Sequence, residues 1–302
     1  MSDSPANAVD PSAGPAGLSP LPVEEYIEQA HFFTILSERV RQSVPAQEVL
    51  ASVRDEVLAT ANLPMAIDFL LAELRHQGEL APGMWRLSHY FTPFQCFVMS
   101  EAENDRRRFD IRIALEILRR EAKYRSEGIS LQGLFLFQLE TLCRNRLGYD
   151  EGLDAVAGDP SYPATWRDWV LTLRRQIGII ELTDLIYVRS EFYRERSRHD
   201  GRDEPNDAPA LFGIREGRIA WANRRKDPLL LFSALHRQLG YPAVPKPSHE
   251  IAEERLLAVL ARRVEQLESR LKLVEEEQRG GIDLNRFYEA NRPADRPSDD
   301  LV

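Results

Sequence analysis

Apolar side chains recur every three or four residues along most of this chain, the period of helices that each bury one stripe. Tyr26, Ile27, Ala30, Phe33, Leu36 and Val40 predict a first helix after Pro22. A second starts at Pro45, a favourable first helical position, and uses Val49, Val53, Val57 and Leu58. The third follows Pro64 with Ile67, Leu70, Leu71 and Leu74, and stops at Gly78. A short helix around Met84 and Leu87 leads into Tyr90 and Phe91; Thr92 then caps, and Pro93 opens, a long helix reaching about Arg125.

The same reading continues downstream. Leu134, Phe137, Leu142 and Leu147 predict a helix ended by Gly148, and residues 163–178 another, with Trp166, Trp169, Val170, Leu173 and Ile177 on one broad buried face. A further helix covers 182–198. Residues 199–209, with Gly201, Pro205 and Asn206, have linker composition. Short period-2 runs at 210–214 and 218–222 flank Glu216 and Gly217 and predict a small β-hairpin. Asp227, Pro228, Leu231, Leu235, Leu239 and Gly240 mark the cap, first turn, buried stripe and stop of a last body helix. The fold class expected is mainly α: a multi-helix, bundle-like body at 21–198, then a hairpin-plus-helix module at 210–245.

Beyond Pro242, Pro245 and Pro247 the spacing tightens into heptads over 249–279. Leu257, Leu260, Val264, Leu267, Leu271 and Val274 alternate at intervals of three and four, the seam of a coiled coil. In a parallel pair, Arg263 would meet Glu268 of the second copy, and Arg270 would meet Glu275, whereas an antiparallel pair would oppose like charges. The expected partner is therefore the chain itself, as a parallel homo-oligomer. One helix docking on its own body uses nearly the same spacing and is the alternative.

Composition narrows this picture. A chain of 302 residues, 43% hydrophobic and 29% charged, is long enough for a sizeable core. Residues 1–20 and 283–302 are expected to be disordered tails, poor in large apolar residues. No stretch has the pattern of a signal peptide or membrane span, and Cys96 and Cys143 lack disulfide or metal spacing, which together point to a cytoplasmic protein. The net charge of −9 disfavours nucleic acid. Arg215, Arg218, Arg224, Arg225 and Lys226 nevertheless form a basic patch around Trp221, a candidate anion site.

Candidate chemistry is sparse. Glu28 with His31, and Glu73 with His76, have the Glu-x-x-His spacing used by di-iron helical bundles, but both pairs project away from the predicted apolar stripes and read as solvated surface pairs. The predicted long helix carries Glu101, Asp105, Arg108, Arg112 and Glu116 on one face, which reads as a salt-bridged solvent face rather than a polar cleft. His89 beside Trp85, Tyr90, Phe91 and Phe94 could stand at an apolar pocket; ordinary core packing explains those aromatics better. No phosphate-binding glycine loop, metalloprotease motif or triad spacing is present. Nothing in the sequence points to a cofactor.

In the runs 139–150 and 227–245 the chain resembles an uncharacterised family of bacterial proteins with no assigned activity; the likeness extends over most of 20–245 and implies no site residues. Function is accordingly expected to be non-enzymatic: an interaction or scaffold protein that self-associates and holds an unidentified protein. A helical enzyme or metal protein and an anion binder are the rival classes.

Overall fold

In the computed structural model, residues 19–42, 46–56, 60, 62–104, 109–200 and 208–246 are described. Residues 1–246 form one compact unit and 247–302 a second. The heptad seam lies in the second, outside the described residues, as do most of both predicted tails.

Among the described residues there are thirteen helices and no strand. They are α1 (Val23–Arg41), α2 (Ala46–Glu56), α3 (Asn62–Gln77), α4 (Ala81–Arg86), α5 (Pro93–Glu103), α6 (Ile111–Ser126) and α7 (Leu131–Asn145). There follow α8 (Tyr149–Ala157), α9 (Ala164–Gln176), α10 (Leu182–Val188), α11 (Glu191–His199), α12 (Ile214–Ala222) and α13 (Pro228–Leu239). None is long and apolar enough to cross a membrane.

The longest packed pair is α1 against α6, with Phe32, Phe33 and Leu36 buried on one and Leu115, Leu118 and Ala122 on the other. α2 covers α3, α8 pairs with α9, and α5 packs on α8. The predicted Trp166, Trp169 and Leu173 face of α9 is buried, closing on Phe135 of α7 at centroid distances of 5.7 and 4.9 Å from the two indoles. Phe212 inserts into the same aromatic cluster, 5.4 and 5.3 Å from those indoles. The chain beyond the predicted linker is thereby tied to the core of the body.

Three expected elements are corrected. The single helix from Pro93 to about Arg125 is two, because Asp110 accepts a hydrogen bond from the Arg112 amide at 2.9 Å and caps a new start, at α6. The helix expected at 182–198 is also two: the Ser190 hydroxyl donates to the Tyr187 carbonyl at 2.6 Å and accepts from the Tyr193 amide at 3.2 Å, closing α10 and capping α11. The hairpin is helix α12, since Glu216, Gly217 and Ala220 face inward at helical spacing and, of residues 210–222, only Phe212 makes a bridge, to Ser190. On α1, Ile27 is exposed while Glu25 and Gln29 are buried, so that stripe is more polar than expected. Thr92, Pro93, Asp227 and Gly240 act as predicted: Thr92 forms a reciprocal capping box with Gln95, and Gly240 takes the left-handed conformation at φ +67.

Candidate functional site

The surface built from α10, α11 and α12 begins with a close approach. A Cβ on Gly217 would lie 2.1 Å from Ser190 Oγ and 2.5 Å from Ser190 Cβ, so only glycine lets α12 settle on the start of α11. The 190–212 bridge holds the other end: the Glu191 amide donates to the Phe212 carbonyl at 2.9 Å, and the Leu211 amide to the Arg189 carbonyl at 2.8 Å.

That packing produces a ladder of guanidinium and aromatic groups. Arg224 lies 3.9 Å from the Trp221 ring centroid and 4.2 Å from that of Tyr187, while Arg196 lies 4.3 Å from Trp221. Tyr187 and Trp221 are 4.8 Å apart, and Arg218 sits 5.6 Å from Phe192, one turn back along both helices. Stacking on an aromatic face holds a guanidinium by charge–quadrupole attraction and leaves its in-plane N–H donors directed outward. Arg224 Nε is 2.5 Å from Asp184 Oδ1. Among the described residues no carboxylate pairs with Arg196, Arg215, Arg218 or Lys226.

At the turn into α13, Arg225 adopts the left-handed region at φ +60, and its amide donates to Glu181 Oε2 at 3.0 Å. The hydrogen bond from that amide, with a second from the Thr183 hydroxyl, holds the Glu181 carboxyl below its usual range. Exposed apolar residues gather in the same stretch of chain, in these helices and the turn before α10. Of eleven large ones among the described residues, Ile179, Ile180, Val188, Trp221, Leu229 and Leu230 fall between 179 and 230.

The remaining polar clusters are closed. Arg125, fully buried, donates to Glu121 at 2.9 Å, to Ser161 Oγ at 2.9 Å and to both oxygens of Asp159. Gln138 Nε2 donates to Glu121 and Asp159 at 3.0 and 3.1 Å, and Tyr162 donates to Gln138 Oε1 at 2.8 Å. Burial opposes the Arg125 charge, but Asp159 and Glu121 outweigh it and push its pKa above the ordinary value. Glu121 Oε2 and Arg125 Nε have no hydrogen-bond partner among the described residues. A second cluster joins α1 to α5: Gln95 Nε2 donates to Gln29 Oε1 at 2.8 Å, and the Tyr90 hydroxyl to Glu25 at 3.1 Å. A third joins α13 to α7, where the Tyr241 hydroxyl is 2.6 Å from Glu140 Oε2.

Two open clefts offer less. One, about 600 Å³ between α4 and α5, is lined by Trp85, Ser100 and Glu103; Trp85 Nε1 donates to Ser100 Oγ at 3.0 Å, and Glu103 accepts from the Leu80 and Ala81 amides at 2.7 and 2.8 Å. The other, about 330 Å³, is lined by Arg119, Arg120 and Lys123, and both arginines are paired with Glu116 at 2.6 and 2.7 Å.

The sequence-predicted residues are distributed as follows. His31 and His76 are exposed; Glu28 is half-buried, and Glu73 accepts from Arg86 at 2.8 Å. No group of three or more His, Cys, Asp or Glu able to hold a metal gathers among the described residues. His89 is exposed, with Trp85, while Tyr90, Phe91 and Phe94 are core, the ordinary packing expected of those three aromatics. Glu101 and Arg112 are on different helices, Asp105 and Arg108 fall outside the described residues, and Glu116 belongs to the Arg119 and Arg120 pair.

Of the predicted basic patch, Arg218 and Arg224 join the ladder and Arg225 the turn beside it. Arg196, Tyr187 and Phe192 were missed. Their signal was available as an aromatic four residues before a basic residue, Phe192 and Arg196, but it becomes an interface only once α12 is known to be a helix. No family model matches this chain, and no curated protein or solved structure is similar to it.

Proposed function

We propose that the chain is a non-enzymatic interaction protein whose α10–α13 face docks a protein partner, and which self-associates in parallel through its C-terminal heptads. The carrying observation is the coincidence, in α10–α13 and the turn just before them, of Ile179, Ile180, Val188, Leu229 and Leu230, all exposed, with an arginine-clasped tryptophan 37% exposed. Tryptophan and arginine dominate binding energy at protein interfaces, and apolar side chains left in water are what such interfaces cover. Self-association has separate support in the seam spacing and the complementary Arg263, Glu268, Arg270 and Glu275 positions.

The test is affinity capture from the native cell with the full chain and with Ile179→Asp and Leu230→Asp variants. Both side chains are exposed, at 83% and 53%, so the substitutions leave the core intact. A protein retained by the full chain and lost with either variant, at unchanged melting temperature, is the expected result. Retention indifferent to both substitutions would overturn the assignment of this face.

A further inference from the structure

The ladder also specifies the chemistry of what it meets. We propose that Arg196 and Arg218, beside the Asp184-paired Arg224, bind an acidic segment of the partner, with its apolar side chains covering Val188, Leu229 and Leu230. This deepens the docking-face assignment above and depends on it.

Three observations carry it. Arg196 and Arg218 are held against Trp221 and Phe192 yet have no carboxylate partner among the described residues, so their donor edges are oriented and unspent. Arg196 of α11 and Arg218 of α12 stand on two helices packed against each other, each over an aromatic ring of the other helix, so a partner meets both charges on one surface. Val188 of α10 and Leu229 and Leu230 of α13, helices that both pack on α12, are 40 to 53% exposed and suit a peptide.

A nucleic acid fits less well. Arg224, Arg196 and Tyr187 already stand 3.9, 4.3 and 4.8 Å from the Trp221 centroid, which leaves little of the indole for a base to stack on. Asp184 and Glu181 interrupt the positive surface, and the whole chain carries −9.

Fluorescence anisotropy on the full chain decides this, with a labelled helical peptide that carries Glu at one-turn spacing on one face and Leu beside it. The same peptide with Gln for Glu and a single-stranded oligothymidylate are the comparison ligands. The acidic peptide should bind, weaken as salt is raised, and lose at least about tenfold in affinity with the Arg196→Gln, Arg218→Gln double variant. Trp221→Ala should weaken it as well and Trp221→Phe restore most of the loss, because the ring acts by holding guanidiniums.

Equal binding of the Gln peptide, or undiminished binding by the double variant, would overturn the proposal. So would oligothymidylate binding tighter than the acidic peptide and lost in the same variant, which would make the ladder a nucleic-acid site. If neither ligand binds while Leu230→Asp still abolishes capture of a native partner, the acidic chemistry fails and the docking face stands.

Discussion

The residue with the largest expected effect on stability is Arg125, whose guanidinium satisfies two buried carboxylates at once. Arg125→Met leaves Glu121 and Asp159 uncompensated in the core and should cost on the order of 3 to 5 kcal/mol in denaturant unfolding. Glu121→Gln is expected to cost under about 1 kcal/mol, since Oε1 keeps its acceptor role and Oε2 makes no hydrogen bond to lose. Equal losses from both would mean that the charge attraction between Glu121 and Arg125, and not the hydrogen bonds alone, sets the energy of the cluster. Burial, with the Glu25 and Glu140 carboxylates beside two of them, raises the phenol pKa of Tyr90, Tyr162 and Tyr241 above the ordinary value. A group whose folded pKa exceeds its unfolded value of about 10 contributes stability that is complete below that pH and lost as pH rises through it. Phenolate absorbance should therefore show a late, cooperative phase above pH ~10 coincident with loss of helical circular dichroism. A titration of all nine tyrosines completed with helicity intact would contradict it.

At the scale of elements, capping decides more than periodicity does. Thr92, Asp227 and Gly240 were legible because a side-chain oxygen or a left-handed glycine at a helix end is a local property. The breaks before α6 and α11 use the same chemistry at Asp110 and Ser190; the first follows the wholly polar run 103–108, where only the charged spacing of Glu101, Asp105, Arg108 and Arg112 suggests one helix, and the second sits inside a run whose apolar spacing continues across it. Helix α12 was read as a hairpin because Glu216-Gly217 resembles a turn. Gly217 is glycine for a tertiary reason, the approach of Ser190 and Phe192, which no local rule contains. The buried Glu121, Arg125, Gln138 and Asp159 were illegible for a related cause: each is polar on a face that only assembly makes interior. Gly217→Ala should push α12 off α11 at a cost of roughly 1 to 3 kcal/mol, as overpacking does. It should also separate Arg196 from Trp221 and weaken the ladder's ligand in parallel. Loss of stability with the ladder's affinity unchanged would show that the two helices hold the ladder without this contact.

For the whole molecule, the proposed self-association through residues 256–278 would multiply whatever one docking face holds, because linking two weak sites converts the second encounter into an intramolecular one. The full chain is expected to be a parallel oligomer in light scattering at tens of micromolar, on the order of a weak dimer's dissociation constant. Leu260→Asp with Leu267→Asp should yield monomers that keep the melting transition of the 1–246 unit, since the seam lies in the second unit. Direction is the sharper question. In the proposed parallel pair, Arg263 to Glu268 and Arg270 to Glu275 would add little energy as surface ion pairs but would favour one orientation. A single cysteine placed at Leu267 should then crosslink to its own copy under mild oxidation. Cys96 and Cys143 do not confuse that experiment, because burial pushes both thiols above their ordinary pKa and keeps them from reacting as thiolates. An antiparallel pairing would leave the Leu267 cysteine uncrosslinked while the chain remained dimeric. A monomer before any substitution would instead place the seam on its own chain, and each protein would then hold its acidic partner through one face alone.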